Sequence, residues 1–276
     1  MSMIRLIAFD LDGTLLNSKK EITPETFRVL ELAASKGIEI VPVTGRFWEA
    51  MPASVKSLEF VNYAVTLNGA EIFDVRESKS LGRFEMPLER ARTLCHTFDD
   101  LNVIYDFVAD GHGFMKRELY ERLPDVMIGE WQVKIVRDLR TPVDDVYSEL
   151  SMKTGVQKMQ IYTKDSDLRL RLLESLPVVF PKLLFTSSVP NNIEINDPSA
   201  NKGSGLKFIA ERLNIPMSET IAFGDGSNDI YMIRDAGIGV AMSNAIDEIK
   251  EAADYITLSC DEDGVAEGIK KFCGLE

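Results

Sequence analysis

The chain is poor in the residues that staple secreted proteins or anchor membrane ones. Among 276 residues it has only 3 cysteines, 2 tryptophans and 2 histidines. Cys95, Cys260 and Cys273 are odd in number and far apart, so they form neither a disulfide framework nor a CxxC-type metal site. They are read as packing residues. No apolar run approaches the roughly 20 residues needed to cross a bilayer. The segment from Met1 to Asp10 is too short, and turns acidic too soon, for a secretory signal. A cytoplasmic location with no membrane partner is therefore expected. Positive charge is also scarce, with 31 Lys and Arg against 44 Asp and Glu and a formal net charge of -13 at pH 7. Such a chain repels phosphate backbones, which argues against nucleic acid as a partner. Any phosphate site must be neutralised locally, by metal, cations or backbone amides. What remains is a globular composition, 45% hydrophobic and 27% charged, long enough for one large domain or two ordinary ones.

The opening reads as a βαβ unit. An apolar run from Ile4 to Phe9 is followed by a polar turn, a helix from about Pro24 to Lys36, and a second apolar run from Ile38 to Val43. Thr23 is placed to cap the helix, Pro24 to start it and Gly37 to stop it. Strands this apolar must be covered by helices on both faces, the mark of a parallel sheet. A third strand from Tyr63 to Leu67 runs into Asn68-Gly69, which predicts a tight hairpin turn into Glu71 to Phe73. Alternation returns late in the chain. Helices are expected near Gly203 to Leu213, Ser227 to Asp235, Ala245 to Ala253 and Val265 to Phe272, and strands at Thr220 to Phe223, Ile238 to Val240 and Tyr255 to Thr257. Between the halves lie helices from Leu88 to Asp99 and Asp165 to Leu176, strands from Val103 to Ala109, Val156 to Thr163 and Leu183 to Ser187, and irregular acidic, glycine-containing stretches. The expected fold class is thus α/β, a Rossmann-like parallel-sheet core with helices on both faces over residues 1–82 and 189–276, interrupted by an inserted α+β domain over 83–188.

Chemistry-bearing residues gather at the carboxyl ends of the core strands, where open α/β sheets bind ligands. Asp10-Leu11-Asp12-Gly13-Thr14 follows the first strand, and Thr44-Gly45-Arg46 follows the second. Asn201-Lys202-Gly203 opens a late helix, and Gly224-Asp225-Gly226-Ser227-Asn228-Asp229 follows a late strand. Each stretch alone has a plain structural reading: an acidic turn, a threonine capping a helix, a solvated lysine at a helix start, a Gly/Asp-rich turn. Paired carboxylates also divide labour well, one attacking phosphorus while the other moves the proton. Four such stretches in this order leave the plain readings inadequate. His96 and His112 belong to none of them and are read as packing or surface residues.

Asp10-Leu11-Asp12-Gly13-Thr14-Leu15-Leu16 resembles the first motif of the haloacid-dehalogenase-like phosphatases, and the other three stretches resemble the second, third and fourth. The resemblance implies Asp10 as nucleophile and Mg2+ ligand, and Asp12 as acid/base with its main-chain carbonyl on the metal. It implies Thr44, Gly45 and Arg46 as phosphate contacts, Lys202 as the charge that neutralises Asp10 and the transferring group, and Asp225 as a metal ligand. Asn228 and Asn68 would contact phosphate, and Asp229 would fix Lys202. The insert matches the place of the α/β (C2-type) cap of the Cof-type branch, in which the cap sets substrate choice. Ser187-Ser188-Val189-Pro190 and Glu194-Ile195 resemble the sugar-phosphatase members. Asp110, His112, Lys116 and Arg117 are polar candidates on the insert. The expected activity is Mg2+-dependent hydrolysis of a small phosphorylated metabolite, a sugar phosphate, through an aspartyl-phosphate, by a monomer or homodimer. A phosphomutase would share all four motifs. A non-catalytic metabolite-binding module would have lost Asp10, Asp12, Lys202 or Asp225, and a dehalogenase would need neither the metal nor Asp12 and Asp225.

Overall fold

The first apolar run forms a strand in which every residue is fully shielded from solvent, and a parallel sheet grows on both of its edges. The structure, a computed structural model, describes residues 3–275. Along the chain the strands are β1 (Leu6–Phe9), β2 (Glu39–Pro42), β3 (Tyr63–Thr66), β4 (Glu71–Asp74), β5 (Lys79–Arg83), β6 (Ile104–Ala109), β7 (His112–Lys116), β8 (Arg140–Val143), β9 (Lys158–Tyr162), β10 (Leu184–Thr186), β11 (Asn192–Asn196), β12 (Thr220–Gly224), β13 (Ile238–Ala241) and β14 (Tyr255–Ile256). The described residues divide into two compact units, one running up to Arg83 and resuming at Asn201, the other spanning Phe84–Ala200.

The first unit carries a five-stranded sheet in the order β14-β13-β12-β1-β2, every pair parallel, flanked by helices. The register that sets Phe9 opposite Phe223 brings the ends of β1 and β12 side by side, so Asp10 and Asp225 leave the sheet at adjacent points. The helix Pro24–Ser35 starts as expected, with the Thr23 side chain accepting from the Thr26 amide, and it buries Thr26, Val29, Leu30 and Ala33 on one stripe. The Thr23 and Thr26 hydroxyls also donate to Asp263, which ties this helix to the start of the helix Gly264–Cys273.

Strands β3, β4 and β5 form a separate antiparallel sheet, with isolated parallel bridges at Val43–Val65 and Ile40–Val61. The β3–β4 hairpin exists, but its turn is not the two-residue kind expected from Asn68-Gly69. Leu67, Asn68 and Gly69 all take left-handed conformations, with φ of 53, 60 and 95. At Gly69 a side chain is impossible, because a Cβ would lie 2.2 Å from the Asn201 carbonyl oxygen. No helix begins at Thr44 either. The chain turns there and makes only a short 3-10 turn, Trp48–Ala50, and a short helix, Ala53–Lys56.

The second unit holds a six-stranded sheet in the order β10-β11-β9-β6-β7-β8, antiparallel except between β7 and β8. Tyr105, Phe107, Met159, Ile161, Ile193 and Ile195 alternate onto one face and form its apolar core with Leu94, Phe98 and Leu172. The intervening residues Asp106, Gln160, Tyr162 and Glu194 point the other way, and they are buried too. Buried charge on this face is paired. Arg140 crosses β7 at Gly113, where a Cβ would stand 2.3 Å from its side chain, and its Nε donates to Asp106 at 2.7 Å. Tyr162 donates to the same carboxylate, and Lys158 meets Glu194.

The boundary expected at 188/189 moves to Ala200, because β11 lies within this sheet between β10 and β9. Its sequence Asn-Ile-Glu-Ile-Asn alternates with the period of two that a strand requires. The stretch expected to be irregular contains β7, β8 and the helices Arg117–Glu121, Leu123–Val126, Glu130–Asp138 and Val146–Ser151. His96 stacks on Tyr147 with its Nδ1 3.0 Å from the phenol oxygen, a packing role. No helix among the described residues is long and apolar enough to cross a membrane.

Removing Asp106 would take from the buried Arg140 the carboxylate that its Nε bonds at 2.7 Å, and breaking a buried ion pair costs about 3–5 kcal/mol. Asp106→Ala is expected to lose that much in urea unfolding followed by circular dichroism, and a loss under about 1 kcal/mol would show that water or another group neutralises Arg140.

Candidate active site

Asp10 is the first residue past β1, and its amide still donates to the Phe223 carbonyl at 3.0 Å, so the strand pairing positions its backbone. The chain then curls back on itself. Leu15 and Leu16 amides donate to the Asp10 and Leu11 carbonyls, and Gly13 makes the reversal with φ 89. A side chain at Gly13 would collide with Asp225, its Cβ 2.4 Å from Oδ2. Asp225 is held from the same loop, since the Thr14 hydroxyl donates to its Oδ1 at 2.8 Å. The Asn244 amide donates to the Gly13 carbonyl at 2.8 Å, while its Oδ1 accepts from the Cys260 amide.

Lys202 arrives from the opposite side. Asn201 caps the helix Lys202–Arg212 by accepting from the Ser204 amide, and Lys202, the first helical residue, is 0% exposed. Its Nζ lies 2.6 Å from Asp10 Oδ1 and 2.6 Å from Asp229 Oδ1. Both carboxylates hold the ammonium charged against the cost of burial, so its pKa stays above the ordinary lysine value. Asp229 spends its remaining oxygen on the loop, where Oδ2 accepts from the Asp225 and Gly226 amides at 2.9 Å each. It therefore orients Lys202 and the loop.

One ammonium stands among three carboxylates, since Asp10, Asp225 and Asp229 bring oxygens within 4.8 Å of one another. The crowding shows in their protonation. Burial pushes Asp10 up to about 8 from an ordinary 3.8 against the pull of Lys202, with Asp229 and Asp225 adding to the rise. Asp225 is pushed up to about 6, by burial first and Asp229 second, with the Thr14 bond opposing. Asp10 Oδ2 and Asp225 Oδ2 have no hydrogen-bond donor among the described residues. Clustered carboxylate oxygens that one ammonium does not neutralise are what a magnesium-like cation binds. The acidic cluster could hold a metal, and Asp10 and Asp225 are the ligands it offers.

Asp12 is not part of that cluster. Arg46 grips it with two parallel bonds, Nε to Oδ2 at 2.8 Å and Nη2 to Oδ1 at 2.9 Å, and Lys20 adds a third to Oδ1 at 2.9 Å. Burial would raise the Asp12 carboxyl, but these cations win and hold it at about 2. Arg46, expected on phosphate, thus sits on Asp12. Thr44 Oγ1 accepts from the Arg46 amide at 3.2 Å, a turn rather than a helix cap, with Gly45 between them. Asn228 donates to Asn68 Oδ1 at 3.1 Å. Thr14, Asn244 and Lys20 are not among the site residues expected from the sequence. Thr14 lies within the first of the four motifs, whereas Asn244 and Lys20 lie outside all of them.

The raised carboxylates set the sign of a pH effect. Asp10 and Asp225 take up protons more readily folded than unfolded, so the metal-free protein should lose stability as pH rises from about 4 through about 8. Thermal melts across that range are expected to show the decline, and Mg2+ to reverse it most at the alkaline end. Asp225→Asn should remove the Mg2+-induced rise and flatten the decline. A Mg2+ shift that survives this substitution would place the cation elsewhere.

The sequence pattern of the haloacid dehalogenase-like hydrolases matches residues 7–269. The chain is 33% identical over 276 residues to the 5-amino-6-(5-phospho-D-ribitylamino)uracil phosphatase YcsE of Bacillus subtilis, covering 97% of this chain and 95% of that one. It is 31% identical to the phosphatase YwpJ of the same organism, covering 97% and 99%. The fold is similar to the solved structure of the HAD subclass IIB sugar phosphatase BT4131, with a TM-score of 0.83 at 27% identity over 99% of this chain and 100% of that one. Taken with the four motifs at the sheet's carboxyl edge, this extent of likeness shows that the chain belongs to the haloacid dehalogenase-like hydrolases and is a phosphatase of their Cof-type branch.

Proposed function

We propose that this phosphatase hydrolyses a sugar or polyol phosphate in a magnesium-dependent reaction through an aspartyl-phosphate on Asp10. The observation that carries the reading is Lys202, fully buried and bonded to Asp10 Oδ1 at 2.6 Å, with Asp10 Oδ2 left free of protein donors. A buried lysine fixes the orientation of the carboxylate and offsets its repulsion from an anionic phosphate. Bound among Asp10, Asp225 and the Asp12 carbonyl, Mg2+ would supply the positive charge that keeps Asp10 ionised at neutral pH and neutralises the phosphoryl oxygens.

The chain's own residues then divide the work. A carboxylate oxygen of Asp10 attacks phosphorus, the ester P–O bond breaks, and Asp12 protonates the departing oxygen. Asp12 must first take up a proton, which its grip by Arg46 and Lys20 opposes. The proton enters at the one acceptor position, on Oδ2, that neither cation occupies. Thr44, whose oxygen already accepts from the Arg46 amide, keeps its hydroxyl proton to donate to a phosphoryl oxygen. Gly45, Asn68 and Asn228 complete the phosphate contacts. Water finally gives its proton to Asp12 and attacks phosphorus, which restores Asp10.

A ribityl phosphate and a sugar phosphate, the substrates in the names of two relatives, share a phosphomonoester on a polyhydroxylated carbon chain. That chemistry is the class we assign. The unit Phe84–Ala200 contributes none of the residues above, and selecting the non-phosphate part of the substrate is the task assigned to it. On it, exposed Arg117 pairs with Asp144 and half-buried Lys116 with Glu118, as Asp110 does with Lys153, with His112 at the start of β7.

Asp10→Asn keeps the side-chain shape and removes the nucleophile. Turnover of para-nitrophenyl phosphate should fall by at least on the order of 10³-fold while circular dichroism stays unchanged. Turnover within tenfold of the unsubstituted protein would rule out Asp10 as nucleophile.

A further inference from the structure

Of the two side chains that grip Asp12, Lys20 belongs to no motif. It lies in the turn Asn17–Glu21, its side chain is 54% exposed, and its Nζ rests 2.9 Å from Asp12 Oδ1. Its backbone has φ 64, a region that strains any residue with a Cβ. The turn is built to hold this conformation. Asn17 Oδ1 accepts from the Lys19 and Glu21 amides at 3.0 and 2.9 Å, the Asn17 amide donates to the Glu21 carbonyl, and the Ser18 amide donates to Asp261 at 2.8 Å. Glycine would fit that backbone without strain, and an exposed ion pair by itself adds little to stability. A strained, clasped lysine aimed at the acid/base residue is a functional arrangement.

The lone pairs of Asp12 show what it does. An ionised carboxylate offers about four acceptor positions. Arg46 occupies one on each oxygen, and Lys20 occupies the second on Oδ1. One position, on Oδ2, is left. We propose that Lys20 is a positioning residue for the second half of the reaction, holding Asp12 as a proton acceptor whose one open site is on Oδ2. The inference rests on the aspartyl-phosphate reading above. In that step a water O–H bond breaks, its proton passes to Asp12 Oδ2, and its oxygen bonds to phosphorus. The bond from phosphorus to Asp10 breaks, returning the Asp10 carboxylate and releasing inorganic phosphate.

Rapid mixing with para-nitrophenyl phosphate in saturating MgCl2 separates the two halves, because nitrophenol is released on phosphorylation and turnover also needs hydrolysis. Lys20→Met is expected to lower steady-state turnover roughly tenfold and to reveal a nitrophenol burst approaching one per protein, both restored toward normal in Lys20→Arg. Lys20→Gly relieves the backbone strain, so it should show the same burst without a fall in Tm, which a purely structural role would not produce. Parallel loss of burst and turnover, or kinetics unchanged in every Lys20 variant, overturns the role of Lys20. Turnover that persists in Asp10→Asn overturns the aspartyl-phosphate reading itself.

Discussion

The contact on which the site depends is the bond of a fully buried ammonium, Lys202, to two carboxylates at 2.6 Å each. A lysine without solvent is tolerated only when paired, and pairing it with both Asp10 and Asp229 fixes three elements at once. Asp10 ends β1, Asp229 belongs to the loop after β12, and Lys202 opens the helix at which the chain re-enters its first unit. The residues are distant in sequence, and the parallel register of β1 with β12 makes them neighbours. The glycines follow from the same close approach. Gly13 abuts Asp225, and Gly69 abuts the Asn201 carbonyl beside Lys202.

One ammonium among three ionised carboxylates, Asp10, Asp225 and Asp229, leaves two negative charges over. Burial first, and the surplus negative charge second, raise Asp10 and Asp225, and the cluster could hold a hard cation. The chain as a whole is strongly acidic, at -13, so this compensation has to be local. Asp12 has the opposite environment within the same loop. It turns toward Arg46 and Lys20 and stays ionised. Two carboxylates two residues apart thus have pKa values driven in opposite directions, Asp10 by burial among other acids and Asp12 by its two cations.

Much of this was legible in the sequence because it is local. The apolar strands, the Thr23 cap and the strand-end motifs are short-range patterns, and Asp10, Lys202, Asp225 and Asp229 do converge. What escaped is set by tertiary contact. Arg46 reads as a phosphate ligand until its side chain is seen on Asp12, and Thr44 reads as a helix cap until the chain is seen to turn. Lys20 carries no signal, since its role comes from a left-handed backbone that most sequences avoid. The misplaced boundary at 188 has a different cause. β11 alternates clearly, but which sheet it joins is decided by its pairing with β9 and β10, which lie before it in the chain and within the insert.

The most direct test looks for the covalent intermediate. The protein is mixed with a phosphomonoester and Mg2+, quenched in acid within the first turnover, digested and examined by mass spectrometry. One added phosphoryl group on the peptide that contains Asp10, absent when Mg2+ is omitted, is the predicted result. Rapid product formation with no phosphorylated peptide at any quench time, or with the phosphoryl group on another residue, would contradict it.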